Sequence, residues 1–385
     1  MDFREDEDIE AIAEAVADIC ARFDDEYWMR CDADHRFPWE FYEYMAKGGW
    51  VGIAIPDEYG GGGRGITEAA VVLRTVAASG AAMNGCTALH LTVFGLNPVV
   101  KFGSDRLKQE FLPAACSGEF HVAFGVTEPD AGTDTSRITT RAEPDGKGGY
   151  RIHGRKIWTS KALESQAVLL LARTGPGEGL RGLSLFLADL DPDHVDIRPI
   201  PKMGRNAVAS CETFYDGLPV PGYRRIGEEG EGWKYLLHGL NPERVLIAAE
   251  AIGIGEASLR RAATYAKERE VFGRPIGANQ AISHPLADAH IQLAAAWQMT
   301  RLAAWRYDQG LECGEAANAA KYLAAEAGFA AADRAVQTHG GMGYASEYHV
   351  ERYFREARVM RIAPVSQEMT LNYIAQQVLG LPRSY

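Results

Sequence analysis

The stretch GYRIHGRKIWTS, Gly149–Ser160, decides the fold class. Apolar and polar residues alternate along it around a turn glycine, which is the period of a half-buried strand. AVLLLAR (167–173), LSLFLADL (183–190), VDIRPI (195–200) and CETFYDGLPVP (211–221) follow, each bounded by Gly, Pro or Asp. The centre of the chain therefore reads as an antiparallel domain of several short strands. It begins near His121 and ends around GEEGEGW, Gly227–Trp233.

Helical periodicity lies on both sides. Upstream, Ile9, Ile12, Ala13, Val16, Cys20 and Phe23 make one apolar stripe. ITEAAVVLRTVAASGAAM (66–83) and SDRLKQEFLPAACSGE (104–119) predict two further helices. PDEYGGGGRG (56–65) lacks the Lys and Ser/Thr of a phosphate loop and reads as a flexible connection. Downstream, 242–269, 280–309, 316–339 and 347–360 are long, alanine-rich candidates that suggest a four-helix bundle. The order is α, then β, then α, an α+β class.

The 385 residues are 46% hydrophobic with a formal net charge of −12, enough for a large core and more than one domain. No basic stripe stands out, so no nucleic-acid partner is expected. MDFREDEDIE at the start is acidic, which argues against a targeting leader, and no apolar run reaches membrane-spanning length. Cys20, Cys31, Cys86, Cys116, Cys211 and Cys313 form no close pair, so reduced thiols and a cytoplasmic location, without a membrane, are expected. His284 and Asp288 are spaced for one helix face, but without further ligands no metal site is expected.

One stretch raises a chemical question. LNPERVLIAAE (240–250) reads as the start of a buried helix, with Asn241 as N-cap and Pro242 at the first position. Glu243 and Arg244 then open an otherwise apolar run. A carboxylate in a first turn is stabilised by the helix dipole by roughly 0.3–1 kcal/mol, which accounts for Glu243 without any catalysis.

From end to end the chain resembles the acyl-CoA dehydrogenase family of FAD-dependent enzymes, and separate motifs carry the resemblance. FGVTEPDAGTD (124–134) is similar to the family's TEPxAGSD segment. By that resemblance the stretch from Phe124 contacts the cofactor. Val126 and Thr127 would bond the flavin ring, and Thr133 would lie near both flavin and substrate. KIWTS (156–160) resembles K-x-W-I-T, which implies that Trp158 packs beside the flavin and Ser160 supplies a hydroxyl. REVFGRPIGANQ (269–280) resembles R-x-x-F-G…Q, whose Arg and Gln reach a partner subunit's FAD; Arg269, Phe272 and Gln280 take those places. Taken locally, the same segment is a helix C-terminus ended by Gly273. QTHGGMGY (337–344) is similar to Q-x-x-G-G-x-G, placing Gln337, Gly340 and Gly341 at the adenosine diphosphate part of FAD.

The resemblance implies three domains: N-terminal helical, 1–120; middle β-barrel, 121–229; and C-terminal helical bundle, 230–385. It implies α,β-dehydrogenation of an acyl-CoA, an oxidoreductase acting on CH–CH donors as in β-oxidation. A carboxylate removes the α-proton and hydride leaves the β-carbon for flavin N5. In most members the base lies in the segment that here reads RIAPVSQEM, and Pro364 occupies its place. Ser366 and Glu368 fall where the family contacts the flavin. Isovaleryl-CoA and long-chain members supply the base from another helix, about one helix length before the R-x-x-F-G arginine. Glu243 stands there, 26 positions before Arg269. Asn241 and Arg244 match positions that contact the CoA portion.

Further expectations follow from the same resemblance. They are a homotetramer arranged as a dimer of dimers, an acyl-CoA or acyl-carrier-protein thioester as substrate, and electron-transfer flavoprotein as acceptor. GIGEAS (253–258) lacks the strand–turn–helix setting of a dinucleotide fingerprint, so no nicotinamide site is expected. Flavin monooxygenases, nitroalkane-oxidising enzymes and a non-catalytic FAD-clamping subunit are the alternatives on this fold.

Overall fold

A computed structural model describes residues 7–175 and 179–383. Residues 1–6, which carry much of the acidic start on which the reading of no leader rests, lie outside it. Seven helices come first: α1 (Glu7–Cys20), α2 (Asp25–Ala33), α3 (Trp39–Lys47), α4 (Ile66–Val76), α5 (Ala82–Val93), α6 (Asn97–Phe102) and α7 (Asp105–Ser117). The single helix predicted over 66–83 is broken by a π-helical turn, Ala77–Ala81, with Gly80 at φ 109°. Taken together, Ile66–Phe102 is long and apolar enough to cross a membrane by length and composition, contrary to the sequence expectation. Its apolarity has another use here: 67% of its most apolar window is buried inside the fold.

The middle domain holds β1 (Val122–Gly125), β2 (Arg141–Pro144), β3 (Gly149–Ser160), β4 (Ala167–Arg173), β5 (Leu183–Asp189), β6 (Val195–Pro199), β7 (Ser210–Pro221) and β8 (Arg225–Ile226). The sheet order is β6-β7-β3-β2-β4-β5-β8, with β1 also on β4. The sheet is mixed and not purely antiparallel, because β1 and β2 both pair with β4 in parallel. The expected turn glycine is also corrected. Gly154 lies inside the continuous strand β3, at one of two register irregularities; the other falls between Lys156 and Thr159.

The C-terminal domain comprises α8 (Gly232–Glu268), a two-strand hairpin of β9 (Glu270–Val271) and β10 (Arg274–Pro275), then α9 (Gln280–Asp308), α10 (Gly314–His339), α11 (Val350–Ala357) and α12 (Gln367–Tyr373). Three long helices form the bundle, and its fourth side is the short α11 and α12. The helix predicted over 347–360 is thus shorter than its periodicity suggests.

The predicted helix start at Asn241–Pro242 is wrong. Both residues lie well inside the 37-residue α8. Pro242 removes one intrahelical donor, a cost that tertiary burial outweighs. The helix begins instead where Gly232 packs on the backbone of Ser184 and Leu185, so closely that an added Cβ would lie 2.5 Å from each. Leu236, Val245, Leu246 and Ile252 then bury along it. Gly253 and Gly255 let α8 approach its neighbours: a Cβ on Gly253 would lie 2.5 Å from the Arg74 carbonyl oxygen, and one on Gly255 would lie 3.1 Å from Gly328 Cα. The GIGEAS glycines are packing residues.

The N-terminal helices and the bundle share one apolar core, in which Trp28, Phe41, Val72, Leu246 and Ala324 are buried together. A second core inside the sheet contains Ile152, Leu170, Phe186 and Tyr215. Hydrogen bonds tie all three domains at one place. Asp32 accepts from Asn84 (3.2 Å), Asn206 N–H (3.0 Å) and Arg355 (3.0 Å). Asn84 accepts from Ala207 N–H at 3.0 Å and donates to Glu356 at 2.8 Å.

Candidate active site

Glu243 sits on the buried face of α8. Its Oε2 is buried without a hydrogen-bond partner. Far from the helix N-terminus, it gains nothing from the dipole, and the first-turn account fails. Burial instead pushes its carboxyl up to about 7; His90 and Arg244 oppose the rise and Glu250 adds to it. Arg244 donates to Asn241 Oδ1 at 3.0 Å, while its Nε is buried and unpartnered. Burial holds the Arg244 guanidinium below its usual value.

The loop after β1 is fixed from beneath by a buried ion pair. Lys156 Nζ, fully buried, donates to Glu128 at 2.8 Å and to the Val126 carbonyl at 3.0 Å. Glu128 also accepts from Thr139 N–H and hydroxyl, each at 2.8 Å, and from Thr140 N–H at 2.9 Å. Burial opposes its charge, but Lys156 and these donors bring the carboxyl down to about 2. Burial lowers the Lys156 ammonium to about 8, still charged at neutral pH. The Ile157 N–H then donates to the Thr127 carbonyl at 2.9 Å, so the loop and β3 run together. Val126 is buried, Phe124 and Thr127 are half-buried, and Thr133 is exposed.

Trp158 is the next residue along β3. It sits at φ 62°, in the left-handed region, inside the second irregularity of the strand. The ring is 52% exposed, so it is not the core residue that a strand tryptophan usually is. A strained backbone that turns a large aromatic outward forms a face for a planar ring to pack against. Ser160 Oγ accepts from Arg205 at 3.3 Å.

A second group of the expected cofactor contacts is turned outward. Arg269, Gln280, Gln337, Gly340 and Gly341 are all exposed. Phe272 is 100% exposed at φ 54°, beside Gly273 at φ 76°. Those two residues form the turn of the β9–β10 hairpin, so Gly273 closes a hairpin and does not end a helix. Gly340 takes φ 60° at the end of α10, and nothing lies within 4 Å of a Cβ added there or at Gly341. Ser366 caps α12, accepting from Met369 N–H at 3.3 Å, and Glu368 is exposed in the first turn. Pro364 is exposed just before it.

These positions fit FAD as a group. The arrangement offers an exposed aromatic face, a loop braced from below, outward-facing arginine and glutamine side chains, and open space over two glycines. Several residues of the site were not singled out in the sequence. Lys156 and Glu128 stand inside quoted motifs without a role. His90, buried, has its Nδ1 2.8 Å from Glu250 Oε1. Glu250 was legible in principle, as an acid seven positions after Glu243 in an apolar run, a spacing that returns to one helix face.

Comparison with known proteins agrees along the whole chain. Family models for the acyl-CoA dehydrogenase N-terminal, middle and C-terminal domains match residues 6–119, 123–218 and 230–379. The acyl-CoA dehydrogenase fadE12 of Mycobacterium bovis is 40% identical over 389 residues, covering 100% of this chain and 99% of that protein. The structure of butyryl-CoA dehydrogenase from Megasphaera elsdenii superposes with a TM-score of 0.94 at 28% identity, over 98% of this chain and 100% of that one. That of PigA with FAD and proline gives 0.94 at 25% identity, over 99% and 100%.

Proposed function

The chain belongs to the acyl-CoA dehydrogenase family of FAD-dependent oxidoreductases, and from that premise we propose that it oxidises an acyl-CoA thioester to the trans-2-enoyl-CoA with Glu243 as base. The observation that carries this reading is the buried, unpartnered Glu243 Oε2 with its carboxyl raised to about 7. A base works best when its pKa lies near the operating pH, because it is then both ionised and basic. Pro364 offers no proton acceptor at the commoner position, and Glu368 is exposed.

Bound FAD supplies the acceptor for the hydride that leaves the β-carbon. The chain's own residues bind, orient and deprotonate. Lys156 and Glu128 hold the Val126–Thr127 backbone, to which the flavin edge would bond, with Phe124, Thr133 and Ser160 beside it. Trp158 would offer its exposed ring to the flavin, and Ser366 and Glu368, at the start of α12, would add contacts to it. Arg269, Phe272, Gln280, Gln337, Gly340 and Gly341 would hold the cofactor across a subunit contact, in a homotetramer built as a dimer of dimers. Arg244 and Asn241, already bonded to each other, would orient the thioester, carried by CoA or by an acyl-carrier protein. Glu243 takes the α-proton.

Electron-transfer flavoprotein is the acceptor in this reading, within the cytoplasm. The GIGEAS glycines pack helices together. The reaction belongs with dehydrogenations of CH–CH donors, EC 1.3.8.-. Pro364 favours one other reading, an oxygen-using flavoenzyme that needs no carboxylate base. Anaerobic titration of the purified yellow protein with a panel of acyl-CoAs separates the two. Bleaching by an acyl-CoA supports the dehydrogenase. Reduction only by an external reductase, followed by rapid oxygen uptake, overturns it.

A further inference from the structure

The loop between β6 and β7 brings one guanidinium to the end of β3. Arg205 stands in that loop at φ 58°, in the left-handed region. A long side chain held there is unusual, and such positions cluster at functional sites. Its Nη2 donates to Ser160 Oγ at 3.3 Å and to Ser210 Oγ at 3.1 Å. Those two serines face each other across the β3–β7 pair.

Two acids lie within electrostatic reach of Arg205, Glu250 and Glu356, and both face other partners. His90 Nδ1 lies 2.8 Å from Glu250 Oε1. Glu356 accepts from Met83 N–H at 2.6 Å and from Asn84 at 2.8 Å, with Arg352 3.7 Å away. The other cations in reach are His90 and Lys202, and Lys202 donates to the Arg205 carbonyl. Arg205 is therefore left without an ion-pair partner of its own among the described residues. It stays charged, because a guanidinium keeps its proton even where burial lowers its pKa.

A guanidinium only donates, whereas a serine hydroxyl has one proton and two lone pairs. Arg205 fills a lone pair of Ser160 Oγ, so the Ser160 proton is not spent on it. Ser160 is half-buried, two residues beyond the outward-facing Trp158, and no described residue accepts that proton. Resting on the dehydrogenase reading, which sets Ser160 against the flavin, we infer that Arg205 is a positioning residue: it makes the Ser160 hydroxyl a donor to the flavin and favours the reduced cofactor over the oxidised one. A hydride adds negative charge to the flavin. A donor backed by a positive charge gains strength as that charge develops.

The test uses the FAD-loaded protein. It reads the two-electron potential of the bound flavin against reference dyes, together with the affinity for oxidised FAD. Arg205→Met should weaken binding of reduced flavin about tenfold relative to oxidised flavin, a fall in potential of about 30 mV. Arg205→Lys keeps a charged donor and should recover about half of that fall or more. Ser160→Ala removes the hydroxyl and leaves the guanidinium, and should lower the potential by a similar amount. Arg205→Met added to Ser160→Ala should then change little. An unchanged potential in Arg205→Met or in Ser160→Ala overturns the inference, and so does full additivity of the two. Equal loss of oxidised and reduced flavin also overturns it, since a purely structural tie between β3 and β7 would give that result. If Arg205→Met does not fold, Ser160→Ala and Arg205→Lys decide. Neither measurement uses an acyl-CoA, so failure of acyl thioesters to bleach the flavin strikes instead at the dehydrogenase reading.

Discussion

Lys156 and Glu128 form a fully enclosed ion pair, 2.8 Å apart, and the same ammonium holds the Val126 carbonyl at 3.0 Å. Breaking one partner of such a pair strands a buried charge. Lys156→Met is expected to destabilise the fold by about 3–5 kcal/mol and to weaken flavin binding by releasing the Val126–Thr127 backbone. Adding Glu128→Gln removes the stranded charge, so the double variant should recover part of the stability but not the flavin affinity. Denaturant unfolding and flavin titration of the three variants measure both effects.

Glu243 makes stability depend on pH in a direction opposite to a salt-bridged acid. Its carboxyl titrates near 7 when folded and at the ordinary 4.5 when unfolded, so between those values the folded chain binds the extra proton. Its contribution is complete below pH 4.5 and is lost as pH rises through about 7, a loss of up to about 3 kcal/mol. Glu243→Gln cannot ionise and escapes that loss. The variant is expected to match wild type near pH 4.5 and to melt at a higher temperature at pH 8. Thermal unfolding at matched protein and flavin concentrations gives the comparison.

Phe272 and Gly273 both adopt positive φ at the hairpin tip, a turn that suits Asn-Gly better than Phe-Gly. In the proposed tetramer this fully exposed phenylalanine would pack against another subunit. Phe272→Asn is expected to relax the hairpin yet weaken assembly by about tenfold or more, with flavin lost in step. Arg269→Ala should lose flavin by the same route. Sedimentation velocity with flavin absorbance reads both variants; a monomer that keeps full flavin runs against the tetramer.

The layering of the fold was legible because strand and helix periods differ sharply between Gly149–Ser160 and the flanking stretches. The start of α8 was not. Asn241 and Pro242 carry local capping signals, but the contact of Gly232 with β5 and the burial of Leu236 extend the helix past them. The difference matters chemically, because a first turn would lower the Glu243 pKa through the dipole, whereas burial on the inner face of α8 raises it. Trp158 was legible as a motif residue but not as an exposed, strained one, since a strand irregularity leaves no mark in an alternating pattern. His90 and Glu250 belong to helices far apart in the chain, and only packing brings them together.

If Glu243 removes the α-proton, the rate of flavin reduction must fall in Glu243→Gln. Stopped-flow mixing with a bleaching acyl-CoA should show, for the wild type, a rate that rises with pH through about 7 and then levels. The variant should fold, hold FAD and bind the thioester, but reduce its flavin about 10²–10⁴-fold more slowly and without that pH dependence. Near-normal reduction in Glu243→Gln, with the same pH profile, would contradict the assignment.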